Sequence, residues 1–251
     1  MEDVITLEVE NGVARVGLNR PSKRNAYNRA MLARLDEVLA SLADREDVGV
    51  VVLFGQGGTF CSGGDLIEVR GLAHGGQDGL QDGWFAPLYG VTRRLTSLPV
   101  PTVAAVRGLA LAGGLELAMC CDFIVTSDEA RLGDQHINAG LIPGGGATQL
   151  LAERVGRQRA MELILTGRRV RGQEAVSIGL ALWSAAEEEF DERLDAFLST
   201  LTAKRPAAVE AVKLLMSRTF DLEDVRAEMA VAVRDMTSPP TLELLDSFGN
   251  G

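Results

Sequence analysis

The chain has 251 residues, of which 46% are hydrophobic and 24% charged, and a formal net charge of −10. That balance belongs to a globular protein and excludes disordered and fibrous classes. The acidic excess argues against nucleic acid or an anionic membrane as a partner. The length suits one large domain or two small ones, because single cores stop growing near roughly 250–300 residues. Three cysteines, two of them adjacent (Cys120 and Cys121), cannot build a disulfide framework. The opening MEDVITLEVE has no basic and apolar leader pattern. A reducing, cytoplasmic setting is expected.

In chain order, Ile5 to Glu10 and Val13 to Leu18 alternate like strands, and Asn11-Gly12 between them signals a hairpin. A polar loop follows (NRPSKRNAYN, 19–28). Met31, Leu32, Leu35, Val38, Leu39 and Leu42 recur at helical spacing and predict a helix over about 29–44. Val50 to Phe54 reads as a strand buried on both faces. A glycine loop (GQGGTFCSGGD, 55–65) leads into a short helix. Residues 71–83 are polar and glycine-rich and predict a mobile loop. A helix over about 84–97 and a buried strand over 101–106 come next. The most apolar stretch, 100–125, is interrupted by Arg107, Glu116 and Asp122, so it predicts core rather than a membrane span. Within it a strand, a glycine loop (107–114), a helix (115–121) and a strand (123–126) follow in turn. The word PGGGATQ opens a further helix that ends near Gly156. Alternating strands and helices predict an α/β fold. Beyond about 187 only helical pattern remains, too thin to own a core, so it packs on the body or on a neighbouring subunit.

Several site classes are absent from the sequence. It holds no GxxxxGK[ST], no GxGxxG opening a helix after the first strand, no GxSxG and no HExxH. Two histidines, His74 and His136, and no CxxC leave no metal site. What remains is a pair of glycine loops before helix starts, Ser62-Gly63-Gly64-Asp65 and Ala112-Gly113-Gly114-Leu115-Glu116. First-turn N–H groups lack helical partners, and glycine lets a ligand approach them. Two such donors converging would form an oxyanion hole. The alternative is that the glycines only permit tight turns. Glu116 lies in an apolar run (LALAGGLELAMCC), where a carboxyl should hold its proton more tightly and suit acid–base work. Its alternative is a salt bridge or a helix-dipole partner.

Four words of the chain carry a family resemblance: NRPSKRNAYN (19–28), FCSGGDL (60–66), PTVAAVRGLALAGGLELAMCCDFIV (101–125) and GLIPGGGATQLLAERVGRQRAMELILTGRRVRGQEAVSIGL (140–180). In order and spacing they resemble the enoyl-CoA hydratase/isomerase (crotonase) superfamily. The resemblance implies an α/β, crotonase-like spiral of repeated ββα units over residues 1–190. It implies a helical C-terminal trimerisation region over 191–251 and either a homotrimer or a hexamer made of two trimers. The implied substrate is an acyl-CoA thioester. Coenzyme A enters as part of that substrate, with no separate cofactor. By the resemblance, the thioester oxygen sits between the N–H groups of Gly64 and Gly113. Arg24, Ala26, Ser62, Asp65, Leu66, Ile67 and Gly114 line the CoA ester.

Glu116 matches the first of the family's two catalytic glutamates. At the second position this chain carries His136. An imidazole titrates near neutrality and can replace the carboxylate in hydration. If 134–138 is extended, Asp134, His136 and Asn138 share a face. Asp134 could then orient the imidazole for water activation in a hydrolase. The remaining readings are a non-catalytic acyl-CoA binder and, more weakly, a double-bond isomerase. His74 reads as a solvated loop residue and Cys61 as a small buried one. Trp84 and Phe85 read as either acyl-pocket wall or core. The ending TLELLDSFGNG is acidic where many relatives are basic, so phosphate contacts would fall to arginines such as Arg24.

Overall fold

The structure, a computed structural model, describes residues 3–217 and 222–247. Strands β1 (Ile5–Glu10) and β2 (Val13–Leu18) form the expected antiparallel hairpin. Asn11 and Gly12 turn it at φ 51° and 80°, the paired left-handed conformation of a two-residue hairpin. Helix α1 (Arg29–Leu42) starts where the Asn28 side chain accepts the Met31 N–H at 3.0 Å, and it buries the apolar face read from the sequence. Strand β3 (Val50–Gly55) then pairs with β2 in parallel.

Residues 71–83 are not a loop. Helix α2 (Leu66–Ala73) runs into them, and α3 (Gly76–Leu80) and a π-helical turn (Gln81–Phe85) fill the rest before α4 (Ala86–Ser97). The segment is ordered by few but large apolar groups. Leu80, Trp84 and Phe85 are buried, and Leu72 packs against the same core. That anchoring offsets the entropy that the composition emphasised.

The chain next makes two similar passages. Strands β4 (Thr102–Val106) and β5 (Leu109–Leu111) lead to α5 (Gly113–Met119). Strands β6 (Phe123–Ser127) and β7 (Arg131–Gly133) lead to α6 (Ala147–Val155) and α7 (Arg157–Thr166). Strand β8 (Val170–Arg171), α8 (Gly172–Ser177) and β9 (Trp183–Ala185) complete the strand-bearing part. Among the described residues, four helices follow: α9 (Phe190–Thr202), α10 (Pro206–Ser217), α11 (Leu222–Met236) and α12 (Pro239–Ser247).

The main sheet has the order β1-β2-β3-β4-β6-β9, and a smaller sheet has the order β5-β7-β8. Each ββα passage sends its first strand to the large sheet and its second to the small one. Both faces of the large sheet are covered, which is why its strands read as unbroken apolar runs. Val51, Leu53, Ala104 and Ile124 face the core with α1, while Val50, Val52, Val103 and Val125 face Phe190, Leu194 and Leu198 of α9. The C-terminal helices pack on the body: α11 on α6 and α3, and α12 on α2. Among the described residues no helix is long and apolar enough to cross a membrane.

Candidate active site

Three segments distant in sequence are stitched together beneath the glycine loops. Tyr27 N–H donates to Gly63 O at 2.9 Å, and Asp65 N–H donates to Tyr27 O at 2.8 Å. Cys61 O accepts the Leu111 N–H at 3.0 Å. The loops abut so closely that a Cβ on Gly114 would lie 2.2 Å from Cys61 O, and one on Gly63 would lie 3.4 Å from Gly113 N. A Cβ on Gly64 would meet Trp84 at 2.5 Å, and one on Gly113 would meet Tyr27 Oη at 2.0 Å. The glycines are therefore required by close approach. Ala112, the residue before α5, sits at φ 49°, ψ −123°, a strained conformation for a side-chain-bearing residue. It aims the first turn of α5. Leu115 and Glu116 N–H turn back to Ala112 O, which leaves Gly113 and Gly114 at the open end of that turn.

Glu116 projects from α5 into the core with 2% exposure. Its Oε1 accepts the N–H groups of Gly145 at 2.8 Å and Ala147 at 3.2 Å, at the start of α6. Its Oε2 lies 3.9 Å from His136 Nε2. His136 Nδ1 is 3.0 Å from Asp134 Oδ1, which also accepts the His136 backbone N–H at 3.0 Å. Asp134 is buried as well, at 1% exposure. Burial pushes the Glu116 carboxyl up to about 7, with His136 and the Gly145 N–H opposing and Glu228 and Asp134 adding to the rise. For His136, burial works against the charge, but Glu116 and Asp134 outweigh it and raise the imidazole to about 9. Near neutrality His136 is thus an imidazolium held between two carboxyl groups.

The segment that carries this pair is not extended. His136 is in the right-handed helical region (φ −58°, ψ −46°) and precedes a 3₁₀ turn at Ile137–Ala139. Asp134 reaches His136 by folding back on the His136 N–H, not by sharing a strand face. Asn138 is no part of the cluster, because its Nδ2 donates to Gly167 O at 2.9 Å.

Residues 8–241 match the family model described as enoyl-CoA hydratase/isomerase. This chain belongs to the enoyl-CoA hydratase/isomerase family. It is 36% identical over 221 residues to a probable enoyl-CoA hydratase of Rhizobium meliloti, covering 88% of this chain and 83% of that one. It is 38% identical to the human mitochondrial enoyl-CoA hydratase domain-containing protein 2, covering 88% and 76% of the two chains. The crystal structure of an enoyl-CoA hydratase from Mycobacterium smegmatis superposes with a TM-score of 0.82 at 34% identity, covering 98% and 96%. The crotonase-like spiral is therefore the fold of this enoyl-CoA hydratase/isomerase family member.

The other expected site residues divide into two groups. Arg24 is exposed at φ 51°, and its carbonyl accepts the Ser62 N–H at 3.1 Å, so these two share one rim. Ala26 and Leu66 are half-buried beside it, and Ile67 is 60% exposed at the mouth of the glycine loops. Asp65 turns inward to the protein: it caps α2 at the Ile67 N–H (3.3 Å) and pairs with Arg20 at 3.1 Å. Cys61 is buried, and burial pushes its thiol up to about 12, as befits a structural residue. His74 ends α2, half-exposed, with Nε2 2.7 Å from Asp246 Oδ1 on α12. Trp84 stacks on Tyr27 with ring centroids 5.4 Å apart, under Gly64. Of the C-terminal ending, residues 248–251 lie outside the described residues.

Sequence reasoning missed Arg20, Tyr27, Gly145 and Glu228. Glu228 on α11 is buried, accepting the N–H of Gly146 at 2.6 Å and of Thr148 at 2.8 Å, and the Thr148 hydroxyl. The GGG of PGGGATQ was the available signal. A Cβ on Gly145 would fall 2.5 Å from Glu116 Oε2, so a carboxylate must sit against that loop.

Proposed function

We propose that the protein hydrates a 2-enoyl-CoA thioester, with Glu116 as base and His136 as acid. The observation that carries the proposal is the buried Glu116–His136 pair, 3.9 Å apart, with Asp134 on the far side of the ring. Glu116 removes a proton from water, and the water oxygen bonds to C3 as the C2=C3 electrons move toward the carbonyl. The thioester oxygen takes the negative charge between the N–H groups of Gly64 and Gly113. When that charge returns, C2 takes a proton from His136 Nε2. Glu116 is then protonated and His136 neutral, and one proton passing from the first to the second resets the site. Water addition needs no cofactor and no metal, and the CoA moiety arrives with the substrate.

The Asp134–His136 hydrogen bond also suits a hydrolase in which His136 activates water. An imidazole raised to about 9 already carries its proton at neutrality, which favours the acid role. The deciding experiment follows the enoyl-thioester absorbance of crotonyl-CoA with wild-type protein and E116Q. Loss of absorbance in the wild type alone, with no free thiol released, supports hydration. Loss of absorbance matched by released free thiol supports the hydrolase.

The exposed apolar groups of α10, Val212 and Leu215, suit an assembly face. We read the assembly as a trimer or a pair of trimers, and the setting as cytoplasmic.

A further inference from the structure

We infer that Glu228, on the C-terminal helix α11, is a positioning residue for the Glu116–His136 pair: it holds the first turn of α6 in register and faces the pair with a fixed negative charge. The geometry lies in the alternation of donors along one turn. Gly145 and Ala147 N–H point to Glu116 Oε1, whereas Gly146 and Thr148 N–H point to Glu228. Two carboxyl groups, 112 positions apart in the sequence, thus divide one helix start between them. The positive end of a helix favours negative charge there. A carboxylate with three donors is fixed in place, so the loop that anchors Glu116 cannot shift without breaking the Glu228 bonds.

The charge matters as well as the bonds. Among the described residues, the charged side chains acting on His136 are Glu116 from α5, Asp134 from its own segment and Glu228 from α11. Arg169 lies nearby but is engaged by Gln135 Oε1 at 2.9 Å. Removing the Glu228 charge weakens the hold on the imidazolium and eases ionisation of Glu116, so both groups should titrate at lower pH.

The roles of the pair rest on the hydratase reading, but the test is chosen to be independent of turnover. With two histidines in the chain, the ring protons give two resonances, and H74N assigns them. Titration of His136 by NMR in wild type, E228Q and E228M is the measurement. The midpoint should fall in the neutral variants and stay near wild type in E228D. An unmoved midpoint in a folded neutral variant overturns the inference. So does failure of both neutral variants to fold, which would make Glu228 a structural cap only. If crotonyl-CoA proves not to be a substrate, the hydratase reading falls while the titration result stands. Where turnover is measurable, both limbs of the kcat/KM profile should move to lower pH in E228Q.

Discussion

Two buried ionisable groups 3.9 Å apart cannot titrate independently. Glu116 must lose its proton to act as base, and His136 must keep its own to act as acid. The kcat/KM profile should therefore be bell-shaped, rising near pH 7 and falling near pH 9. D134N removes the charge behind the imidazole, so its falling limb should shift to lower pH. E116Q should lower kcat by about 10²–10⁴, with CoA-ester binding retained. H136Q should lower kcat comparably. If H136Q instead turned over like wild type, His136 would have no part in proton transfer. Glu116 was legible as a residue because its apolar run advertised it. Its neighbours His136 and Asp134 were also named, His136 through the family resemblance, but not how they meet: a local fold-back, which alternation rules cannot foresee, replaces the expected extended segment.

At the scale of elements, the strands, α1 and the glycine loops were readable because each carries its own periodicity or punctuation. The stretch 71–83 was not. Its glycines dominate the composition, yet a few buried apolar groups decide its structure, Leu80 among them. Leu80 is fully buried between α3 and the core. L80A should cost about 2–5 kcal/mol in denaturant unfolding, whereas a mobile loop would lose almost nothing. Glu228 escaped notice for another reason: no local pattern links a residue on α11 to a helix start that lies 80 or more positions earlier. The glycine loops predict a further outcome. In G113A the new methyl meets Tyr27 Oη at 2.0 Å, and Tyr27 cannot retreat because Trp84 stacks against it. The backbone of α5 must move instead. G113A should lose turnover far out of proportion to its loss of stability, which about 1–3 kcal/mol of overpacking would bound. Parallel measurement of kcat and Tm checks this.

For the whole molecule, the same pair couples stability to pH. His136 rises on folding from 6.5 to about 9, so its contribution is complete below pH 6.5 and is lost as pH climbs to 9. Glu116 rises from 4.5 to about 7, so the folded state is also penalised as pH increases across that range. Tm should fall steadily from pH 5 to pH 9, and H136N should flatten the upper part of that fall. A Tm that rose over this range would contradict the site as described. The exposed Val212 and Leu215 of α10 predict that L215E lowers the assembled mass in light scattering while leaving the monomer folded.

The hold of Glu228 on α6 also sets an order of events during synthesis. The ribosome delivers Glu116 long before residue 228, and at about 5–20 residues per second the interval is roughly 6–22 s. Once residues 145–148 are made, and until residue 228 follows, the start of α6 has Glu116 as its carboxylate partner and lacks the Glu228 bonds. The last fixing of the site therefore arrives when α11 is made and docks. A nascent chain stalled before that point would hold most of the fold with the Gly146 and Thr148 donors of α6 unclaimed by Glu228.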